Sequence, residues 1–249
     1  MTTETPSVPT PNARRSFLKT AGLTAAGAVA LGGLNLSALA ATSPATKSVA
    51  QDLAILNYAL TLEYLETEFY TAFDTGALAG KLTNLRVKEY AKQLASHERA
   101  HVDGLAATIR SLGGTPVAKP TFDFSPLIGD GSGVNDQVFL QLAASIEPVG
   151  VRAYLGQAPS VQNGAVLTAA ASILAVEANH VSGIQELRVY LGYNTAPTRQ
   201  TSIAPQSDAK PTSPSAGDFD ANYSPSPTAL WTPLTMEEVL AIVGPLIKA

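Results

Sequence analysis

Four stretches of the chain place apolar residues every three or four positions, and each carries an acid in the middle of its apolar stripe. Over residues 48–73 the stripe runs Leu56, Leu60, Glu63, Thr67 and Tyr70; over 82–112 it runs Val87, Ala91, Leu94, Glu98, His101 and Leu105. Over 136–156 it runs Leu140, Ala143, Glu147, Val151 and Tyr154; over 165–190 it runs Leu167, Ala170, Leu174, Glu177, Val181 and Ile184, with His180 at its edge. This spacing predicts four helices. Gly76 and Gly80 mark a short turn between the first two, and Gln162-Asn163-Gly164 marks one between the last two, so each pair is antiparallel. Gly113-Gly114-Thr115-Pro116 terminates the second helix, and the polar, glycine- and proline-bearing stretch up to residue 136 is long enough to run the length of a bundle. The expected fold is all-α: a four-helix bundle within residues 41–193, with a long crossover between helices 2 and 3. Pro148, inside the third helix, removes a backbone donor, and a kink or widened turn is expected there. Residues 194–249 form an irregular extension. Its Pro/Ser/Thr-rich part, to about residue 232, cannot build a core of its own and is expected either to lie extended over the bundle or to be disordered. It ends in a short helix over 236–243, capped by Thr235 with Glu238 and stopped by Gly244-Pro245.

The four stripes are two copies of one pattern. Glu63 and Tyr70 are separated from Glu147 and Tyr154 by the same offset, and Glu98-x-x-His101 is matched by Glu177-x-x-His180. The two motifs continue alike, Val102-Asp103-Gly104-Leu105 against Val181-Ser182-Gly183-Ile184, which reads as a duplicated two-helix unit. Residues three apart share a helix face, so each Glu-x-x-His can present a carboxylate and an imidazole to one metal ion. One more glutamate from each remaining helix completes four carboxylates and two imidazoles, the ligand set of a carboxylate-bridged dinuclear centre. The charges close as well, because four glutamates offset two divalent ions while neutral histidines add nothing. Four unpaired carboxylates in a bundle core would be untenable. A lone Glu-x-x-His is usually a solvated pair; here two of the chain's three histidines fall at equivalent places on apolar stripes.

Hydrophobic residues make up 45% of the 249, enough to bury a sizeable core, and only 6% are aromatic, which suits close-packed helices better than a β-sandwich. The net charge of -4, with no basic cluster beyond the first twenty residues, gives no support to a nucleic-acid partner. There is no cysteine, so neither disulfides nor thiolate metal sites arise. The segment Arg14-Arg15-Ser16-Phe17-Leu18-Lys19, followed by an uncharged stretch to Ala40, resembles a twin-arginine export signal. Residues 1–40 are thus expected to be removed after Ala38-Leu39-Ala40, giving a periplasmic, envelope or extracellular protein without a stable membrane span. The alternative is an uncleaved anchor, since about 20 apolar residues can cross a bilayer.

The segments Leu56-Asn57-Tyr58-Ala59-Leu60-Thr61-Leu62-Glu63-Tyr64-Leu65-Glu66-Thr67-Glu68-Phe69-Tyr70 and His97-Glu98-Arg99-Ala100-His101 resemble the ferritin-like superfamily, in particular its exported branch that includes plant desiccation-related proteins. The resemblance covers residues 48–190. It implies the ferritin-like four-helix fold and, by motif position, Glu63, Glu98, His101, Glu147, Glu177 and His180 as metal ligands. The family's glutamate seven residues before a tyrosine favours Glu63 over Glu66.

Four further residues are candidates for supporting the centre. His97 points about 100° away from Glu98 and is expected at the surface or beside a ligand. Glu66, one turn from Glu63, reads first as an exposed acid, with an extra or exchanging ligand as the alternative. Tyr70 and Tyr154 either hydrogen-bond near the centre or fill the core. Oxygen-rich ligation with two imidazoles suits two divalent iron or manganese ions. The expected function is redox chemistry on dioxygen, peroxide or ferrous ion, in defence against oxidative or desiccation stress. A non-catalytic envelope stress protein on the same scaffold is the competing reading. A ferritin-type store would require an oligomeric shell.

Overall fold

The computed structural model describes residues 47–193 and 231–248. The expected export segment, 1–40, and most of the Pro/Ser/Thr-rich stretch, 194–230, lie outside the described residues. Four long helices form: α1 (Val49–Asp74), α2 (Leu85–Ser111), α3 (Asp136–Gln157) and α4 (Gly164–Tyr190). Each starts where a side chain takes up an orphan backbone donor: Ser48, Asn84, Asn135 and Asn163 are the N-caps. Helix α2 begins three residues later than its stripe suggested, because Asn84 caps it while Leu82 is buried in the preceding turn as part of the core.

Pairs α1/α2 and α3/α4 carry the most extensive packing, and two aspartates tie the pairs together. Asp52, fully buried in the first turn of α1, accepts from the backbone N–H groups of Gln162 (2.8 Å) and Asn163 (2.9 Å) in the turn before α4. Asp136, in the first turn of α3, accepts from Thr83 N–H (3.0 Å), the Thr83 hydroxyl (2.6 Å) and Asn84 N–H (3.1 Å) in the turn before α2. Asp52 and Asp136 stand at the same offset as Glu63 and Glu147, so the duplication extends to the fastenings of the bundle. Neither tie was expected from the sequence.

No widened turn forms at Pro148. Helix α3 is α-helical from Asp136 to Gln157, and every residue from Ala143 to Tyr154 is buried. Packing on all sides outweighs the roughly 3 kcal/mol that an interior proline costs a helix.

The crossover carries a two-residue strand, β1 (Thr121–Phe122), and one helical turn (Ser125–Ile128). The chain re-enters at Trp231, and its last helix, α5 (Met236–Val243), has the expected capping box between Thr235 and Glu238. Leu234 donates to the Arg152 carbonyl (3.1 Å), and its own carbonyl passes so close to Gly156 that a Cβ there would lie 1.9 Å from it. Met236, Val239, Ile242, Val243 and Leu246 then enter the same core cluster as Leu56, Leu60 and Leu105. After Gly244-Pro245 comes a strand the sequence did not predict, β2 (Ile247–Lys248), antiparallel to β1 with Phe122 opposite Ile247. The terminal segment therefore closes the bundle.

Helix α4 is long and apolar enough to cross a membrane by length and composition, where no such segment was expected beyond residue 40. Its buried residues nevertheless include Glu177, His180, Gln185 and Arg188, and alanine supplies much of its apolarity. Two large apolar clusters and a small one around Val151 and Val181 occupy the bundle, and in each long helix the acidic residue falls between the two large ones: Glu63 and Glu66 before Phe69, Glu98 after Ala95, Glu147 after Ile146, and Glu177 before Ile184.

Candidate metal centre

All six residues expected to ligate are buried and converge. Glu63, Glu98, Glu147 and Glu177 are fully buried, and His101 and His180 nearly so. His101 Nδ1 lies 2.9 Å from Glu98, 3.1 Å from Glu177 and 3.2 Å from Glu63. His180 Nδ1 lies 3.0 Å from Glu147, 3.2 Å from Glu98 and 3.6 Å from Glu177. Two groups able to hold a metal ion result, Glu63/Glu98/His101/Glu177 and Glu98/Glu147/Glu177/His180, each with its ligand atoms within 4.8 Å of one another. Glu98 and Glu177 belong to both, the arrangement of bridging carboxylates, whereas each remaining Glu–His pair belongs to one.

The tyrosines reach across the repeat. Tyr70 of α1 donates its hydroxyl to Glu147 of α3, and Tyr154 of α3 donates to Glu63 of α1. Both rings are buried as well, so the two sequence-level alternatives for them coincide. Burial, followed by the negative charge of the glutamate each one holds, pushes both phenols well above 10, so they remain donors.

His97 lies beside the candidate ligand His180. Its ring is stacked on His180, with centroids 5.2 Å apart, and its Nδ1 is 2.9 Å from His180 Nε2. A metal on His180 Nδ1 would leave Nε2–H to donate to His97, orienting the ring. The repeat offers no equivalent for His101, because Val176 stands where a second His97 would be.

Glu66 is buried, against the expectation of an exposed acid. Only 3% of its surface is accessible, and its Oε2 has no hydrogen-bond partner among the described residues. Helix α1 is covered on one side by α2 and on the other by α3, with α5 closing over the end, so a residue beside the main stripe is also buried. Glu68, by contrast, is half-buried and pairs with Lys119 at 2.6 Å.

The electrostatics are those of a site that needs positive charge. Burial raises Glu63 to about 7 and pushes Glu66 and Glu177 well above the carboxylate range, with neighbouring carboxylates adding to the effect. At Glu98 burial acts the same way but is outweighed by hydrogen bonds from His101 and His180, which hold it down to about 2. Burial lowers His101 and His180, yet the surrounding glutamates overcome it; His101 rises to about 12 and His180 is also strongly raised. Without a cation, the imidazoles thus supply the charge that the carboxylates require. Both oxygens of Glu177 and Oε1 of Glu98 accept no well-aligned hydrogen bond, leaving lone pairs free in the interior. Oxygen and imidazole donors with spare lone pairs fit a hard or borderline divalent ion.

A family model described as ferritin-like domain matches residues 51–189, the span of the four helices. Among solved structures, the chain is similar to a two-domain protein from Anabaena variabilis that contains DJ-1/ThiJ/PfpI-like and ferritin-like domains. That match has a TM-score of 0.47 and 16% identity, and covers 78% of this chain and 52% of the other, so the chain spans about half of its length. No curated protein matches the chain.

Proposed function

Because the chain belongs to the ferritin-like domain family, we propose that it is an exported dinuclear metal protein that carries out redox chemistry on dioxygen, peroxide or ferrous ion in oxidative or desiccation stress. The observation that supports this most is the convergence of four buried carboxylates and two imidazole Nδ1 atoms into two overlapping groups that share Glu98 and Glu177. Glu63 and His101 would hold one ion, Glu147 and His180 the other, with Glu98 and Glu177 between them. A bound iron or manganese pair supplies electron exchange with small oxidants. The protein's part is to fix the ligands: Tyr70 and Tyr154 hold the two terminal glutamates by hydrogen bonds, and His97 orients His180. The apolar clusters on either side keep bulk water away.

The charge count supports two divalent ions, and the absence of thiolates favours iron or manganese over softer metals. The twin-arginine-like segment at residues 14–19 supports export, a route that suits a protein loaded with its ions before translocation. The test is to load the purified protein with iron or manganese, count bound ions by elemental analysis, and follow oxygen and peroxide consumption. About two ions per chain with turnover is expected; binding without turnover for either metal would leave a non-catalytic scaffold.

A further inference from the structure

The duplicated pattern breaks at one buried acid beside the cluster. The offset that relates Asp52 to Asp136, Glu63 to Glu147 and Tyr70 to Tyr154 relates Glu66 to Gly150. These two positions touch across the core. A Cβ on Gly150 would lie 3.2 Å from Glu66 Oε1 and 3.3 Å from Glu177 Oε2, so both carboxylates border the space the glycine leaves open, although Glu66 stands outside the two groups whose ligand atoms already converge. Any side chain at residue 150 would force one of them to shift. Glu66 also borders a cavity of about 20 Å³, formed with Leu65, Val149, Ile242 and Leu246, which is room for one water-sized molecule.

We propose that Glu66 is a fifth carboxylate ligand of the dinuclear centre, exchangeable with a small molecule entering from this cavity. Four observations carry it: a carboxyl group 97% buried, an oxygen without a partner, a place beside the gap at Gly150 that Glu177 also borders, and a cavity lined by both Glu66 and Gly150. A buried acid with no cation or donor to satisfy it is costly, and nothing else among the described residues is placed to offset it at Oε2. The consequence is a pair of inequivalent ions, one of which exchanges a ligand that the other lacks. The role rests on the dinuclear centre proposed above.

The experiment uses the full-length protein as wild type, Glu66→Gln, Glu66→Ala and Glu98→Gln. Mn(II) binding is measured by competition with a chelator, and azide binding to the loaded protein is measured as the small-anion probe. Wild type is expected to bind two ions with different affinities. Glu66→Gln should still bind two, with one affinity lowered about ten-fold or more; Glu66→Ala, once loaded, should bind azide several-fold more tightly than wild type, because no side chain competes for the position. Glu98→Gln should lose tight binding of both ions. If wild type and both Glu66 variants share the same Mn(II) and azide constants while Glu98→Gln fails to bind, Glu66 is no ligand although the centre is real. If wild type binds no metal, the centre itself is refuted and this role with it.

Discussion

At the scale of single residues, the proposed centre would depend on groups that hold the candidate ligands as much as on those ligands. Removing the Tyr70 hydroxyl leaves a Glu147 oxygen buried without its donor, and removing that of Tyr154 does the same to Glu63. A buried hydrogen bond to a charged group is worth about 1.5–3 kcal/mol, and groups that orient ligands typically change metal affinity about 10–100-fold. Tyr70→Phe should therefore weaken metal binding by roughly ten-fold or more, with Tyr154→Phe matching it because the repeat makes the two contacts equivalent. Chelator competition on both variants measures this; wild-type affinity in either would show that the rings only fill space. The doubled Glu-x-x-His motif made the six central residues legible, because a helix face fixes which side chains can meet. Glu66 was not legible. Its burial depends on what covers the flank of α1, and that cover comes from α3 and from α5, nearly 180 residues away in the chain. Periodicity within one helix reports one covered face and carries no information about a second.

At the scale of elements, the bundle is held in register by its turns. Asp136 takes up donors from Thr83 and Asn84, so α3 cannot slide along α2 without breaking a set of charge-assisted hydrogen bonds. Asp136→Ala would strand those donors and should cost about 2–3 kcal/mol, with Asp52→Ala costing a similar amount. Chemical denaturation measures both; a loss below about 0.5 kcal/mol in each would make the ties ornamental. Their shared offset was present in the chain, but an aspartate in a first helical turn also reads as a helix-dipole partner, which hid the longer-range role. The terminal helix shows the opposite balance. Its boundaries and capping box were plain from Thr235 and Glu238, whereas its place in the main core was not, since amphipathicity says that a face is buried without saying where. Deleting residues 231–249 removes Met236, Val239, Ile242, Val243 and Leu246 from that core. At about 1.5–3 kcal/mol for each large apolar side chain, the loss rivals the roughly 5–15 kcal/mol that keeps a domain folded. The truncated protein should be insoluble or lack a cooperative unfolding transition; a sharp transition near the wild-type temperature would contradict the packing.

At the scale of the whole molecule, the buried acids couple folding to pH and to metal with opposite signs. Glu63 rises from 4.5 to about 7 on folding, chiefly through burial, so the native state holds its proton longer than the unfolded chain does. Its stabilisation is complete below pH 4.5 and is lost as pH climbs to 7. Glu66 and Glu177 are raised as well and act in the same direction. His101, raised from 6.5 to about 12, contributes stability that is full below 6.5 and drains away above it. Among the candidate ligands with a shift, Glu98, held down to about 2, has the other sign, and its contribution disappears only as pH falls from 4.5 toward 2. The metal-free protein should therefore melt at lower temperature as pH rises from about 5 to 8. Cations reverse the trend, because binding displaces those same protons and so tightens as pH rises. Melting curves at pH 5, 6.5 and 8, with chelator and with Mn(II), should diverge by several degrees toward alkaline pH, the chelated protein falling while the loaded one holds or gains. Parallel curves would mean that the acids and imidazoles do not exchange protons for metal, and the cluster would then be an ion-paired core rather than a binding site.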